Sequence, residues 1–490
     1  MAVVTENYKR AIRMAALQYR DMNALRIMCA AVSIGFAAPS LAEASTAVSQ
    51  QESDYAHVDL HADQLDAQKW RYPAAERRIR GGLPNFTRKA RAGEELTVAY
   101  FGGSITAHDG WRPMSFANLQ EDFPQAKLSM VNAAIGGTGS IVGVFRADTD
   151  LLSHQPDLVF IEFAVNDGRD ARRKPKDVIR ALEGIVQKLK SQNPDVDICF
   201  FYTLQNHDIE TVRRGYAQPA VAVHEIVAEH YGIPSVYAGP AAAEAVVSEK
   251  AVFTGVIKDE NTGHNDKKQL VITDDNTHPT IPHGHQFYAG VVDRSMKALY
   301  GSAHPFTQPT EPIYTPTWEA AKTIPVHGNA TFSGNWEKVD PNSGPRCFRF
   351  GNNFYSWFPH LYRTGTPESS VRVRFRGSMI GIKGVQGPDS GIVEIRVDGE
   401  LVDTKSLFTV YNTRTFYAGK PMGELPDGDH TVEWSLSTKR PDKGEILASY
   451  YREGNDQDLI DNPAKYEPNR FSVGQIILIG EVLTENRESP

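Results

Sequence analysis

Cysteine is nearly missing from this chain: three in 490 residues. Cys29 sits near the N-terminus, Cys199 in the apolar segment "VDICFFYTL", and Cys347 far away in a different compositional region. The Cys199 segment reads as a buried strand, so a bridge to Cys347 and a disulfide scaffold are not expected, and neither of the two sits in a C-x-x-C pair. Positive charge is not in excess either. Lys and Arg number 52 against 60 Asp and Glu, a formal net charge of −8, and a general affinity for nucleic acid is excluded as an expectation. No apolar run reaches the roughly 20 residues needed to span a bilayer. Internal repeats and low-complexity tracts are absent. So is a phosphate loop of the G-x-x-x-x-G-K-[ST] type. "GGTGSIVG" falls one glycine short of a dinucleotide fingerprint, with Val142 in the third position.

What is present is ordinary globular composition, 41% hydrophobic and 23% charged. The length suits two or three domains. The N-terminal segment "MNALRIMCAAVSIGFAAPSLAEAS" reads as an export signal: Arg26, an apolar stretch from Ile27 to Ala38, then small residues at Ser40 and Ala42. Residues 1–42 are therefore expected to be an N-terminal extension and signal, and the mature protein periplasmic or secreted. Removing them takes away Lys9, Arg10, Arg13, Arg20 and Arg26 against Glu6 and Asp21, and leaves −8 − 3 = −11. Residues 43–90 mix charge with Trp70, Tyr72 and Phe86 and read as an arm packed on the main domain.

From Leu96 to about residue 300, strands and helices alternate. "LTVAYF" (96–101), "LSMVNAA" (128–134), "DLVFIEFAV" (157–165), "DICFFYTL" (197–204) and "IPSVYA" (233–238) are continuous apolar runs of strand length. Between them, "KDVIRALEGIVQKLK" repeats Val178, Leu182, Ile185 and Leu189 at helical spacing. This pattern predicts an α/β domain over 91–302, a parallel sheet covered by helices on both faces. Its site belongs beyond the carboxyl ends of the strands. Residues 303–325 carry a proline-rich linker. Beyond it the period becomes two. Val371, Val373 and Phe375 alternate with Arg372 and Arg374; Val393, Ile395 and Val397 precede a turn at Asp398-Gly399; Val432, Trp434 and Leu436 follow. An antiparallel β-sandwich of jelly-roll type is expected over 326–485. The aromatics Phe354, Tyr355, Trp357, Phe358 and Tyr362 within it fit either a sugar-stacking platform or a sandwich core.

The first strand ends in "AYFGGSITAHDG" (99–110), with Ser104 at its tip. Taken alone, "GGS" after a strand is a turn. Three further segments each occupy a loop after a strand: "NAAIGGTGS" with Asn132 and Gly137, "FAVNDG" with Asn166 and Asp167, and "DDNTHPTIPHGHQ" with Asp275 and His278. A serine, a histidine and an acid three residues before it supply a nucleophile, a base and an orienting group. A glycine N–H and an asparagine amide supply oxyanion donors. Asp167 reads as a brace for its loop. His283 and His285 lack a matching acid, so no metal is expected, and no cofactor. "HDGWRP" offers Asp109, Trp111 and Arg112 as candidates to line the substrate pocket.

"GGSIT", "NAAIGGTGS", "VND" and "DNTHP" resemble, in order, the four sequence blocks of the SGNH (GDSL-type) hydrolases over about residues 95–300. The resemblance implies Ser104 as nucleophile, the N–H groups of Ser104 and Gly137 with the Asn166 amide as oxyanion hole, and Asp275 and His278 completing a triad. It also implies a three-layer sheet of SGNH type. Many members carry G-D-S where this chain has Gly103 before the serine, and the Gly-Gly-Ser variant is common among carbohydrate esterases. "RGGLPNFTRKARAGEELTVAYFGGSIT" with the following "GWR" is similar to exported carbohydrate acetylesterases, including enzymes acting on acetylated xyloglucan. The expected partner is therefore an acetylated carbohydrate. Two alternatives stand beside that expectation: a lipid or small-ester hydrolase, against which "ENTGHNDKKQ" (260–269) offers no apolar cap, and a non-catalytic glycan-binding protein.

Overall fold

The computed structural model describes residues 71–301, 309–340, 342–343, 358–450 and 454–483. The segment expected to be an export signal, Cys29, Cys347, Phe354, Tyr355 and Trp357 lie outside them. In chain order the first half contains β1 (Arg77–Arg78), α1 (Pro84–Arg91), β2 (Glu95–Gly102), α2 (Ser104–Ala107), α3 (Trp111–Asp122), β3 (Lys127–Asn132), α4 (Ser140–Asp150) and β4 (Leu158–Glu162). It continues with α5 (Ala164–Arg173), α6 (Pro175–Gln192), β5 (Asp197–Tyr202), α7 (Ile209–Arg213), α8 (Pro219–His230), β6 (Ser235–Tyr237), α9 (Gly239–Val247), β7 (Ala251–Thr254), β8 (Leu270–Thr273) and α10 (His283–Gly301).

Six strands make one sheet in the order β1-β6-β5-β4-β2-β3. Strands β2 to β6 run parallel. The two-residue β1 adds an antiparallel edge through Arg77 opposite Val236, so the sheet is mixed rather than wholly parallel. Every residue of β4 and β5 is buried, because helices cover both faces: α3 packs with α10, and α6 packs with α4 and α8. That is why these strands read as unbroken apolar runs. Tyr100 stacks on Phe160 at 5.0 Å between ring centroids, and Trp111 lies 4.5 Å from Phe201. Fully burying each such side chain contributes about 1.5–3 kcal/mol. Cys199 on β5 is a buried free thiol, and its burial pushes its pKa up.

The second half is antiparallel, running from β9 (Ala321–Pro325), β10 (Thr331–Ser333), β11 (Glu337–Val339) and β12 (Leu361–Thr364) through β13 (Ser370–Gln386), β14 (Ile392–Val397) and β15 (Glu400–Ser406) to β16 (Phe416–Ala418), β17 (Gly428–Leu436), β18 (Phe471–Val473) and β19 (Gln475–Val482). An eight-stranded sheet follows the order β15-β14-β17-β13-β19-β9, with β10 and β16 also paired to β13; β11-β12-β18 form a three-stranded sheet. Val371, Val373, Phe375, Val393, Ile395, Val397, Val432, Trp434 and Leu436 share one buried core, as period-two strands with one covered face require. Phe358 is buried with Val339, Leu361 and Val385, a core position. Tyr362 is half-buried against the larger sandwich core, and its hydroxyl bonds His327 Nδ1 at 2.7 Å.

The two halves share packing. Met379 and Ile477 of the sandwich join the core of the α/β domain. Thr323 on β9 donates to the Phe145 carbonyl of α4 at 2.6 Å, and Lys420 reaches Asp170 on α5 at 3.2 Å. Among the described residues no helix is long and apolar enough to cross a membrane, and no cluster of three or more His, Cys, Asp or Glu could hold a metal ion.

Candidate active site

Strand β2 stops at Gly102 because the chain must turn sharply over β4. The Gly103 N–H donates to the Glu162 carbonyl at 3.2 Å. A Cβ on Gly102 would lie 2.6 Å from that same oxygen, and one on Gly103 would lie 1.9 Å from Asn166 Oδ1. Only glycine fits either position, and the close approach brings Asn166 against the residue preceding Ser104. Ser104 then opens the short helix α2.

Beneath this turn sits a buried carboxylate the sequence reading did not single out. Glu162 accepts from the Thr106 hydroxyl of α2 at 2.9 Å and from the Thr203 hydroxyl after β5 at 2.8 Å. Burial pushes its pKa up to about 7, against the pull of the two hydroxyls. Arg112 braces the same turn from α3. Its Nε donates to the Thr106 carbonyl at 3.1 Å, and its other donors reach Asp109 Oδ1 at 2.7 Å and Met130 Sδ at 3.4 Å.

The histidine arrives from the far end of the domain. Strand β8 leads into residues 274–279, and a bridge between Thr273 and Pro279 closes the loop. Asn276 adopts a left-handed φ of 71°, which asparagine tolerates well. The loop folds around its own acid: Asp275 Oδ1 accepts from the N–H groups of Thr277 at 3.1 Å and His278 at 2.7 Å, while Oδ2 meets His278 Nδ1 at 2.7 Å. His278 Nε2 lies 2.7 Å from Ser104 Oγ. Partial burial works to raise the Asp275 pKa, but the His278 ring, its N–H and that of Thr277 outweigh it and hold the carboxyl well below the usual range. The acid is therefore ionised and aimed at the ring nitrogen remote from the serine.

Gly137 lies in the loop after β3 with φ +77°, a conformation that favours glycine. A Cβ there would meet nothing within 4 Å, so its surroundings are open. The same loop comes close to the serine turn, since the Thr138 carbonyl lies 3.4 Å from the Cβ position of Gly103. Arg146, fully buried on α4, holds the loop: it donates to the Ala133 carbonyl at 2.5 Å, the Gly102 carbonyl at 3.2 Å and Thr138 Oγ1 at 3.3 Å. Asp167 braces it from the other side. Its Oδ1 accepts from the Ser140 N–H at the start of α4 at 2.9 Å, and its Oδ2 meets His224 Nε2 on α8 at 2.9 Å. Both side chains of that pair are buried. Asn132 accepts from the Ala134 N–H at 3.1 Å within its own turn.

Ser104, Asp275 and His278 thus come together, with Asn166 and the Gly137 loop alongside. The "HDGWRP" segment divides. Asp109 is exposed. Trp111 does not line a pocket: it is fully buried among Tyr100, Phe160 and Phe201, because it starts α3 with its backbone N–H tied to His285 Nδ1 at 3.1 Å. Arg112 is buried and engaged with the serine turn. Two buried histidines lie close by: His108, which the sequence reading did not name, its ring 5.4 Å from His278, and His285, 6.0 Å from His108. Burial pushes the His285 pKa down to about 3, with His108 and His278 adding to the effect, so His285 is a neutral acceptor. His283 donates to the Glu260 carbonyl at 2.9 Å.

Residues 100–286 match the GDSL-like Lipase/Acylhydrolase family. This segment is a GDSL-like acylhydrolase domain. Two curated relatives, the thioesterase 1/protease 1/lysophospholipase L1 proteins of Escherichia coli K12 and of strain O6:H1, are each 29% identical over 147 residues, 29% of this chain and 67% of theirs. A solved two-domain esterase active on acetylated mannans superposes with a TM-score of 0.60 at 22% identity. That alignment covers 84% of this chain and 97% of that one. At that identity the likeness carries the fold alone, and it extends through both the acylhydrolase domain and the sandwich. The family match marks residues 100–286 as an ester-hydrolase segment of the SGNH type.

Proposed function

We propose that the protein is a serine esterase that removes O-acetyl groups from carbohydrate, with Ser104 as nucleophile, His278 as base and Asp275 as the orienting acid. The observation that carries this reading is the continuous chain from Ser104 Oγ to His278 Nε2 and from His278 Nδ1 to Asp275 Oδ2, each contact 2.7 Å. As the Ser104 oxygen attacks the acetyl carbonyl, its proton passes to His278 Nε2. The ionised Asp275 stabilises the imidazolium that results. Negative charge on the carbonyl oxygen meets the N–H groups of Ser104 and Gly137 and the Asn166 amide, each donor supplying roughly 2.7–4 kcal/mol of transition-state stabilisation. The intermediate collapses, the C–O bond to the sugar breaks, and the departing oxygen takes the proton from Nε2. Water, deprotonated by the same ring, then cleaves the acetyl-serine and releases acetate.

Carbohydrate is favoured over lipid by the polar surroundings of Asn166. The cavity it lines is walled by Arg172, Arg173, Gln205, His207 and Asp208, which suit hydroxyl-bearing groups rather than an acyl chain. The activity of the mannan esterase with the same two-domain fold points the same way. Residues 91–302 would carry the chemistry, residues 326–485 would be an accessory domain, and the apolar segment before Ala42 would direct export. The test is acetate release from a panel of acetylated polysaccharides, alongside long-chain acyl esters. Turnover of acetylated glycans that is lost in Ser104→Ala supports the reading. A preference for long acyl chains overturns the substrate class, and equal turnover by Ser104→Ala overturns the mechanism.

A further inference from the structure

Beside Asn166 lies a cavity of about 380 Å³. One wall is helix α5, which Asn166 nearly begins and Arg173 ends. Arg173 stands seven positions after Asn166, two helical turns, so both lie on one face about 10 Å apart along the axis. Between them Gly168 leaves open space; a Cβ there would meet nothing within 4 Å. The opposite wall is residues 205–208. It is pinned to the triad loop, because Gln205 Nε2 donates to Thr277 Oγ1 at 2.9 Å and the Asn206 N–H donates to the Asn276 carbonyl at 3.0 Å. The cavity is therefore bounded by the proposed oxyanion donor on one side and, on the other, by a segment hydrogen-bonded to the loop that carries His278.

Its charge is out of keeping with the chain. Arg172 and Arg173 both line it and are exposed. Neither forms a hydrogen bond, or an ion pair within 4 Å, with a described residue, and the Arg172 charge acts on Asp208 across the cavity. The acid in the opposite wall, Asp208, is already engaged. Its Oδ2 accepts from the Gln205 N–H at 2.9 Å, and its Oδ1 lies 3.4 Å from His207 Nε2. Two guanidinium groups against one carboxylate leave the cavity net positive in a protein whose formal charge is −8. A guanidinium presents a planar fork of donors that matches a carboxylate in two parallel hydrogen bonds.

We propose that this cavity is a subsite for an acidic sugar. A uronic acid residue in the glycan, within one or two rings of the acetyl ester, would place its carboxylate on Arg172 and Arg173 while the ester lies at Ser104. The inference rests on the esterase reading and narrows its substrate class to acetylated glycans that carry carboxylates. Asp208 sets a limit on it: an anion deep against residues 205–208 meets like charge, so the carboxylate docks on the α5 wall.

The experiment compares kcat/KM for acetate release from acetylated oligosaccharides bearing a uronic acid next to the acetylated residue and from matched neutral ones. It uses the wild type and the Arg172→Gln/Arg173→Gln double variant. The wild type prefers the acidic substrate, and the double variant lowers the acidic-to-neutral ratio about 10-fold to 100-fold, mainly through KM, as expected for loss of charge-assisted hydrogen bonds. Added salt raises KM for the acidic substrate more than for the neutral one. A wild-type ratio near one, or a ratio unmoved by the double substitution, overturns the subsite and leaves the esterase standing. Failure of the wild type to release acetate from either substrate overturns the esterase reading and the subsite together.

Discussion

Gly103→Ala puts a single methyl group where the site has no room for one. The new Cβ would lie 1.9 Å from Asn166 Oδ1 and 2.9 Å from its Cγ, and real Cβ atoms essentially never come within 3.0 Å of a neighbour. The amide oxygen must retreat by about 1.1 Å, from 1.9 Å to that 3.0 Å limit. Glycine's backbone freedom is not at issue, since Gly103 has φ −92° and ψ −153°, an extended conformation open to any residue. The damage should therefore be local. A misplacement of that size at a catalytic group costs on the order of 10²-fold, and complete loss of one oxyanion donor costs about 10²–10³ in turnover. Steady-state kinetics on a chromogenic acetate ester should show kcat reduced by that factor. A double-mutant cycle with Asn166→Ala isolates the cause. If Gly103→Ala acts through the amide, it costs little once the amide is gone, and the two penalties do not add. Full additivity, or an active Gly103→Ala enzyme, would refute the reasoning.

Other outcomes follow from the same geometry. Asp275→Asn, which keeps the shape but loses the charge, should reduce kcat by about 10⁴ with a thermal midpoint close to wild type; a loss under tenfold would contradict the role given to the acid. His224→Leu strips the buried Asp167 carboxylate of its ring partner, and denaturant titration should show a loss of roughly 1.5–3 kcal/mol. His285 makes stability depend on pH. Its pKa is about 3 in the folded protein and 6.5 unfolded, so its contribution is complete above pH 6.5 and declines below it as the unfolded chain takes up a proton that the native one refuses. Between pH 6.5 and 5.5 the wild type should lose about 1 kcal/mol more than His285→Asn, read as the difference in urea midpoints. A parallel pH dependence in the two proteins would show that the ring protonates in place.

The strands of the α/β domain are legible because both faces are covered. "DICFFYTL" is apolar throughout since β5 lies inside the sheet, and Val371, Val373 and Phe375 alternate since β13 has one wet side. Edge elements leave no such mark. Strand β1 is two arginines held by pairing with β6, and β15 is exposed along nearly its whole length, so neither carries a period. At the site, Ser104, Gly137, Asn166, Asp275 and His278 stand out because each follows within a few residues of a strand's end, with chemistry that has few other uses there. Trp111 misleads for the opposite reason: nearness in sequence to Ser104 suggests a pocket wall, but α3 turns its first residue into the core. Glu162, His108 and His224 act through partners 41 to 170 positions away, a proximity that no local pattern encodes.

The most direct test of the catalytic claim is covalent trapping of the nucleophile. The protein is treated with a fluorophosphonate, and the labelled peptide is identified by mass spectrometry in the wild type and in His278→Ala. The account predicts a single adduct on Ser104 that forms far more slowly without the histidine. An adduct on another residue, or labelling of Ser104 at the same rate in His278→Ala, would contradict it.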